Sequence, residues 1–523
     1  MDANCISYKD TGYFSQTVID YLDDAPALRP FYSYRPTFDG FAQIIQNKKS
    51  TANTDLLVNM LRKQYEQSGI ELPLQGREDL GFTVTTGHQL NIFAGPLYFI
   101  YKIVTAIKLA RQLKERFPEH NFTPVYWMAT EDHDFAEINY TKIGGLKVQW
   151  QLDAAGATGR LLTKTIRQAL NQYKGVLGME QHGPELAELV ETAYTKFDKL
   201  ADATRYLVHA LFGRYGLVIV DADDIELKRQ FAPIIAQDII EQNSFKNITE
   251  TDKKLHNIGV HTQIHSREIN FFYLTDNLRE RLSFEDGRYV VLNTEISFSE
   301  AELKQEIQEH PERFSPNVAM RPMYQEVILP NIAYIGGGAE VVYWLQLKAS
   351  FDHYGVDFPI LLLRNSGLLI HKEQRAKIIN LRFTSKDLFT DTESLKQRWV
   401  SNHSEHNLTL GDEWKEIEAL FEKIKQRAGK IDSTLVPSTS AVEARLKKAI
   451  DNLEKKLMRA EKRTYSTRLE QIEQIKTALF PGDSLQERTE NFGLYYVKWG
   501  QQLIEELIRH FEPLDFEFCI LSE

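Results

Sequence analysis

The sequence predicts an α/β protein whose core is a parallel β-sheet. Residues 82–86 are predicted to form a strand, and an amphipathic helix from Leu97 leads to a second predicted strand, residues 124–129. The order of strand, loop and helix recurs over residues 331–366. Residues 216–224 contain a short apolar run that is typical of a parallel strand covered on both faces. A βαβ unit carries its chemistry at the carboxyl ends of its strands, so we expect a site there.

Composition narrows the class of protein. A chain of 523 residues is too long for one hydrophobic core, so inserts or additional domains are expected. The net charge of −11 argues against a nucleic-acid partner, because phosphate contacts need Lys and Arg. Two cysteines, Cys5 and Cys519, indicate neither a disulfide framework nor a cysteine zinc site. With no leader pattern and no apolar run of about 18 residues, we expect a cytoplasmic protein without a membrane partner.

Changes in composition and in predicted secondary structure along the chain divide it into seven segments. They are a first half of the core with N-terminal helices (1–140), an insert (141–200), a return to the core (201–240), a second insert (241–314), the second half of the core (315–379), a helical coiled-coil domain (380–480) and a C-terminal segment packed on the core (481–523).

Several elements outside the core are also predicted. Residues 51–65 have the spacing of an amphipathic helix, and residues 140–162 alternate as a β-structure does. Residues 269–274 and 288–293 are strand-like, and residues 297–314 contain a capped helix.

The predicted coiled coil depends on two apolar runs with spacing of three and four, residues 414–431 and 446–460. Ser440 and Glu443 have the spacing of a capping box for the second helix. Two isolated amphipathic helices need an apolar partner, so we expect a homodimer through residues 380–480. The alternative is a helical hairpin packed within one chain.

The first candidate site is the loop between the strand at 82–86 and its helix. Gly87, His88, Gln89, Asn91 and Gly95 offer side chains and backbone N–H groups at a helix N-terminus, which favours an anion. We expect substrate contacts here. The alternative is an ordinary polar turn.

The second candidate site follows the strand at 124–129. Glu131, Asp132, His133, Asp134 and Glu137 form an acidic cluster with one histidine. We predict His133 as base or amine ligand, oriented by Asp132 or Asp134, with Glu131 in the same catalytic cluster and Glu137 binding substrate. A metal site is the less favoured interpretation, because neither an HExxH motif nor a nearby cysteine is present. The alternative without chemistry is a helix cap made by Asp134 and Glu137.

A third group lies in the second half of the core. Gly336, Gly337 and Gly338 precede a predicted helix and allow close approach of a ligand, with Glu340 and Trp344 as pocket residues; a tight turn is the alternative. Further candidates for anion contacts are Arg321, Gln325, Arg364, Asn365 and Ser366.

At these motifs the sequence resembles the bacillithiol-biosynthesis cysteine ligase family, BshC. The resemblance rests on TGHQLNIFAGPLYFIYK, WMATEDHDFAEIN, SPNVAMRPMYQE and AYIGGGAEVVYW, in this order along the chain. It implies a Rossmann-like core related to class I aminoacyl-tRNA synthetases, connecting-peptide inserts and a dimerising coiled coil. The implied reaction joins L-cysteine to the amine of glucosaminyl malate, an amide-forming ligation that yields bacillithiol.

Class I synthetases activate an amino acid with ATP, so the resemblance makes ATP the expected cosubstrate, with no metal cofactor expected. Two of their motifs are altered here. Residues 93–96 take the place of the HxGH motif and keep only its glycine, and Arg364, Asn365 and Ser366 take the place of the KMSKS loop. Two other hypotheses remain open: a dimeric nucleotide-binding scaffold that has lost catalysis, and a metal-dependent hydrolase that a chelator would inactivate.

Overall fold

A computed structural model describes residues 1–49, 52–74 and 76–523. The chain divides into two compact units. Unit 1 comprises Met1–Leu368 and Ser484–Leu521, and unit 2 comprises Leu369–Asp483 and Ser522–Glu523. Thr51, which the predicted helix at 51–65 includes, lies outside the described residues; the described helix runs over Thr54–Gln67.

The strands of the described residues are β1 (Asp2–Ser7), β2 (Phe82–His88), β3 (Phe122–Met128), β4 (Tyr140–Ile143), β5 (Leu146–Gln149), β6 (Val218–Asp221), β7 (Phe271–Thr275), β8 (Leu278–Glu285), β9 (Arg288–Val291), β10 (Ser297–Phe298), β11 (Phe314–Pro316), β12 (Asn331–Gly336), β13 (Ile360–Leu363), β14 (Ser366–Ile370) and β15 (Glu517–Ser522).

The α-helices of the described residues are α1 (Tyr8–Thr11), α2 (Gln16–Leu22), α3 (Phe38–Asn47), α4 (Thr54–Gln67), α5 (Leu97–Arg116), α6 (Phe135–Ile138), α7 (Arg167–Leu177), α8 (Gly183–Lys196), α9 (Leu200–Phe212), α10 (Ile225–Glu241), α11 (Asn243–Asn257), α12 (Glu300–Glu309), α13 (Arg321–Ile328), α14 (Gly338–Leu345), α15 (Lys348–Tyr354), α16 (Lys372–Asn380), α17 (Thr392–His403), α18 (Gly411–Ile431), α19 (Leu435–Thr464), α20 (Ser466–Leu479), α21 (Gln486–Thr489), α22 (Gly493–Trp499) and α23 (Gln501–His510).

The centre of unit 1 is a five-stranded sheet in the order β13-β12-β2-β3-β6. Every neighbouring pair in it is parallel. The chain enters at β2, adds β3 and β6 on one side, and then returns to add β12 and β13 on the other. The direction of winding therefore reverses between β2 and β12, and a sheet of this kind binds its ligands at such a switch point.

The core beside this sheet forms where helices cover strands that are buried on both faces. Phe41 of α3 and Leu109 of α5 pack with Val84, Ile335 and Leu362 of three adjacent strands, and all five are fully buried. Burial on both faces is what the predicted apolar runs require of a parallel sheet.

Two inserts interrupt the central sheet. The first begins with the antiparallel hairpin β4–β5, as the alternation predicts, and continues into α7 and α8. The second contains an antiparallel sheet in the order β10-β9-β8-β7-β11. Its helix α12 starts at Ser299, which forms a reciprocal capping box with Glu302, so the capped helix predicted at 297–314 is confirmed.

Unit 2 is helical, and its two longest helices, α18 and α19, pair as an antiparallel hairpin. Lys425 forms an ion pair of 2.7 Å with Glu443, and Lys447 lies 4.8 Å from the ring centre of Trp414. Neither helix has a buried residue. The exposed apolar side chains of the hairpin include Leu420, Ile424, Leu446, Leu453 and Leu457.

Two local predictions are wrong. The capping box at Ser440 and Glu443 does not form, because α19 already begins at Leu435 and Ser440 lies inside it. The single helix predicted from the glycine loop to residue 354 is two helices, α14 and α15. The backbone N–H groups of Gln346 and Leu347 bond to the carbonyls three residues earlier, which ends the α-helical ladder there.

Within the described residues, no helix is both long enough and apolar enough to cross a membrane.

Candidate active site

A cavity of about 820 Å³ opens at the carboxyl ends of the central sheet. Its walls come from the ends of β2, β3 and β12, from the residues after β13, and from β7 and β8 of the second insert. All of its lining residues belong to unit 1. The cavity therefore occupies the switch point that the strand order defines.

The floor of the cavity carries a buried ion pair between Lys102 of α5 and Glu340 of α14. The Lys102 ammonium also donates to the Gly87 carbonyl at 2.9 Å. Glu340 accepts from the Tyr334 hydroxyl at 2.7 Å and from the Gly337 N–H at 2.8 Å. Burial pushes the pKa of Glu340 upward, but Lys102 and these hydrogen bonds outweigh it, so the pKa is lowered and the carboxylate stays charged. The pair joins the ends of β2 and β12.

Gly87 keeps space open between these strand ends. A Cβ atom at this position would lie 3.3 Å from the Tyr334 hydroxyl and 3.6 Å from Nη1 of Arg321. Arg321, at the start of α13, lines the cavity, and its guanidinium lies 5.7 Å from the centre of the Tyr334 ring. The glycine therefore lets an arginine and a tyrosine approach the strand end closely.

His88 is enclosed beside the same strand end. Its ring stacks on Phe99 at 4.9 Å and meets Tyr98 edge-on at 5.3 Å. Burial, with the positive charge of Lys102, lowers its pKa to about 3, so the imidazole is neutral near pH 7. Its Nε2 atom is buried and has no hydrogen-bond partner among the described residues.

Arg364 lines the cavity but is already paired. It forms a salt bridge of 2.6 Å with the fully buried Glu487 and donates to Ser366 Oγ at 2.9 Å. Asn365 is used in packing contacts, because it bonds to Thr105 and to the Glu512 carbonyl. The predicted anion contacts at Asn365 and Ser366 are therefore not supported, since neither residue lines the cavity.

The residues of the acidic cluster after β3 each bond to a different partner. Glu131 pairs with the buried Lys228 at 2.5 Å. Asp132 accepts from Gln89 Nε2 at 2.6 Å, and Asp134 caps α6 by accepting from the Glu137 N–H at 3.2 Å. The capping role considered for Asp134 and Glu137 is thus what the structure shows. Among the described residues, no group of three or more His, Cys, Asp or Glu side chains is arranged to hold a metal ion.

The partner of His133 differs from the predicted one. Arg279 of β8 lies 2.6 Å from Nδ1, whereas the Asp132 carboxylate is 3.8 Å away. A guanidinium can only donate, so Nδ1 accepts and the neutral ring keeps its proton on Nε2. Burial and Arg279 together lower the pKa of His133. The prediction that Asp132 or Asp134 orients His133 as a base is corrected: the orienting group is an arginine of the insert.

The loop after β2 turns away from the cavity. Phe93 and Ala94 have φ of 55° and 60°, and Asn491 holds this turn by donating to the carbonyls of Phe93 and Gly95 at 3.0 and 2.8 Å. The first N–H of α5, that of Leu97, donates to the Glu490 carbonyl at 2.8 Å. The anion site predicted at this helix N-terminus is therefore replaced by contacts with the C-terminal segment.

The structure thus divides the predicted residues into two sets. The predicted residues that line the cavity are Gly87, His88, Gln89, Glu131, Asp132, His133, Arg321, Gly337, Gly338, Glu340 and Arg364. Those that do not line it are Asn91, Gly95, Asp134, Glu137, Gln325, Gly336, Trp344, Asn365 and Ser366. Gln89 connects two of the predicted clusters, because its amide donates to both Asp132 and Glu137.

Sequence reasoning missed most of the positive charge in the cavity. Its lining includes seven basic side chains against three acidic ones: Lys102, Arg267, Arg279, Arg281, Arg321, Arg364 and Arg488 against Glu131, Asp132 and Glu340. One signal was available, since Arg279 and Arg281 are two apart on a strand and so share a face. A second signal was Lys102, a lysine enclosed by apolar residues in α5.

Comparison with known proteins assigns the chain to a family. A model described as the N-terminal Rossmann-like domain of bacillithiol biosynthesis BshC matches residues 1–365, and one for the C-terminal coiled-coil domain matches residues 367–523. The chain belongs to the BshC family. The predicted Rossmann-like core, parallel sheet and helical coiled-coil domain are confirmed.

Relatives in the BshC family align along the whole chain. A protein of Flavobacterium johnsoniae is 43% identical over 100% of both chains. One of Christiangramia forsetii is 42% identical over 100% of this chain and 99% of its own, and one of Bacillus cereus is 26% identical over 94% and 95%. All three are named cysteine ligase BshC. As predicted, the chain is an enzyme of the carbon–nitrogen ligase class.

A solved structure titled arginyl-tRNA synthetase, from Campylobacter jejuni, covers 83% of this chain and 98% of its own at 11% identity. Its TM-score is 0.22, which is too low to bear on the fold.

Proposed function

We propose that this ligase joins L-cysteine to the amine of glucosaminyl malate, the last step of bacillithiol biosynthesis. The observation that supports this substrate is the positive charge of the cavity in a chain whose net charge is −11. Arg267, Arg281, Arg321 and Arg488 line the cavity, and no carboxylate of the described residues pairs with them. A malate conjugate brings two carboxylates, and arginine binds carboxylates with paired, charge-assisted hydrogen bonds.

The amines of the two substrates need an acidic group in the same cavity. Glu131 and Glu340 are each held by a buried lysine, whereas Asp132 keeps a partly exposed carboxylate whose nearest cation, Arg279, is 4.0 Å away. We assign Asp132 to hold or deprotonate an amine. The amine must lose a proton before it attacks, and a carboxylate within hydrogen-bond reach can accept it.

Amide formation from a carboxylate requires activation of that carboxylate. We propose ATP as the cosubstrate that activates the cysteine carboxyl group, because its phosphates suit the same unpaired arginines. Arg364 takes the place of the KMSKS loop in the sequence, but we do not assign it to bind the phosphates of ATP, since Glu487 already neutralises its charge.

The test is formation of the thiol product from cysteine and glucosaminyl malate, with and without ATP, followed by mass spectrometry. We expect product only with ATP, and a fall in turnover of about 10²–10⁴-fold in Asp132→Asn, the usual range for loss of a proton acceptor. Asp134→Asn is the matched control, because Asp134 caps α6 and does not line the cavity. Absence of product from the wild-type enzyme under both conditions would contradict the proposed substrates.

We also propose a homodimer formed through α18 and α19. The hairpin leaves Leu446 and Leu453 36% and 48% exposed, and an apolar face of this kind is stabilised when a second helical pair covers it. Sedimentation should show a dimer for the wild-type chain and a monomer for Leu446→Asp, Leu453→Asp. The double variant Lys448→Gln, Lys455→Gln changes the net charge by the same amount, two residues along and on another face, and should remain dimeric. An unchanged mass for the leucine variant would exclude this interface.

A further inference from the structure

A chain of buried hydrogen bonds runs behind Arg321, on the side away from the substrate space. Nη1 of Arg321 donates to Gln325 Oε1 at 3.0 Å, one helical turn along α13. The amide of Gln325 then donates to Glu326 Oε1 at 2.8 Å. Gln325 is fully buried and Glu326 is 4% exposed, so neither side chain reaches solvent.

The series of hydrogen bonds continues from Glu326 to the central sheet. Asn331, the first residue of β12, donates to the same Glu326 oxygen at 2.7 Å. Its side-chain oxygen, Oδ1, accepts from the Thr83 hydroxyl at 3.1 Å and from the Thr85 hydroxyl at 2.8 Å, both on β2. Strands β2 and β12 are the two between which the winding reverses, so the network connects Arg321 to the two central strands at the switch point.

These bonds restrict the guanidinium more than packing alone would. An arginine has many side-chain conformations, and ordering it costs free energy each time it binds an anion. Gln325 can accept from Arg321 only when its amide is oriented with the nitrogen toward Glu326, and Glu326 maintains that orientation. Arg321 has no salt bridge to any carboxylate of the described residues, and its Nη2 has no hydrogen-bond partner among them. It is thus oriented but not neutralised.

We propose that Gln325, Glu326 and Asn331 are positioning residues that hold Arg321 ready to receive a carboxylate of the malate part of the substrate. This proposal rests on the proposed function for the identity of the ligand. None of the three residues lines the cavity, so each acts through Arg321.

The test compares Gln325→Met with Arg321→Ala and with the double variant. Methionine has nearly the volume of glutamine but neither accepts from Arg321 nor donates to Glu326. We expect Gln325→Met to raise the KM for glucosaminyl malate and the Kd for malate itself, measured by calorimetry, about tenfold. One hydrogen bond to a charged group has about this effect. The KM for cysteine should not change. In the Arg321→Ala background, Gln325→Met should have no further effect, because its target is gone.

Two further variants keep the test independent of misfolding. Gln325→Asn is shorter by one methylene but stays polar, and it should raise the same two constants if the methionine variant does not fold. Glu326→Gln keeps one acceptor oxygen for Gln325 and Asn331, so its constants should remain within about twofold of the wild type. A rise that persists in the Arg321→Ala background would overturn the proposal, as would unchanged constants in Gln325→Met and Gln325→Asn, or a wild-type enzyme that does not bind malate. Malate binding without any thiol product would instead contradict only the proposed function.

Discussion

Removing the charge of Glu340 should destabilise the protein, because it leaves Lys102 buried without its counter-charge. Lys102 is 4% exposed and lies on α5, and its ion pair with Glu340 connects that helix to α14. Breaking one partner of a buried ion pair costs about 3–5 kcal/mol. The Glu340 side chain is 23% exposed, so we expect the lower end for Glu340→Gln, about 3 kcal/mol of unfolding free energy at pH 7.

The unfolding free energy lost in Glu340→Gln should also depend on pH, and the surroundings of Lys102 determine the direction. Burial lowers the pKa of Lys102, and only Glu340 opposes that effect, while Arg364 and Arg321 add to it. Without Glu340 the folded-state pKa falls further below the unfolded value of about 10.4. The unfolded state then binds more protons over that interval, so the unfolding free energy of the variant rises with pH. The penalty is therefore full below the folded pKa and decreases as the pH approaches 10.4.

Urea unfolding at pH 7 and pH 9.5 measures both effects. The double variant Lys102→Met, Glu340→Gln removes the unpaired charge and should recover most of the loss. Glu512→Gln is the control, because its partner Lys108 is on the same helix but the pair is at the surface, where it contributes about 1 kcal/mol or less. The reasoning is refuted if Glu340→Gln loses less than the control, or if the double variant is no more stable than the single one.

Two further predictions concern the cavity. Gly87→Ala should raise the KM for glucosaminyl malate several-fold, because the new methyl group must displace a tyrosine hydroxyl at 3.3 Å; the unfolding free energy should change by about 1 kcal/mol, and an unchanged KM would show that this space is not used. His133→Asn should keep turnover within about tenfold of the wild type, because Arg279 occupies the nitrogen that would accept a proton. A fall of 10²–10⁴-fold would restore His133 as the base.

The parallel sheet could be predicted from the sequence because its signals are local. A run of apolar residues identifies a strand covered on both faces, and β3, β6, β12 and β13 carry such runs. Strand β2, FTVTTGH, has no such run and is identified by its β-branched residues. The position of the site at the carboxyl ends of these strands follows from the geometry of any parallel sheet. No contact between distant residues is needed for either conclusion.

The loop after β2 shows where local reasoning fails. Its composition suits an anion site equally well with or without the C-terminal segment nearby. Asn491, about 400 residues away, decides the outcome by bonding to the carbonyls of Phe93 and Gly95. The capping box at Ser440 fails for a local reason instead: α19 starts five residues earlier, since Pro437 lies in its first turn, where proline is tolerated.

The same limit applies to the cluster after β3, where the predicted orienting group of His133 is wrong. Glu131, Asp132 and His133 are neighbours in sequence and could serve one another, but each is bound from elsewhere, by Lys228, Gln89 and Arg279. Polar groups that become buried must be satisfied, and the fold satisfies them with whatever the inserts and helices bring near. Proximity in sequence therefore does not decide which of these polar groups bond to one another.

The informative residues are the charged ones that the fold leaves without a counter-charge. Lys102, Arg279 and Arg364 are each neutralised or bonded within the protein, whereas Arg281 and Arg321 line the cavity without a carboxylate partner among the described residues. An unpaired cation that lines a cavity with low-dielectric walls attracts an anion more strongly than one on an open surface, because the effective dielectric constant is lower there. A double variant of Arg281→Gln and Arg321→Gln should therefore weaken malate binding far more than the surface change Lys448→Gln, and comparable effects of the two would mean that the charge of the cavity is not its recognition element.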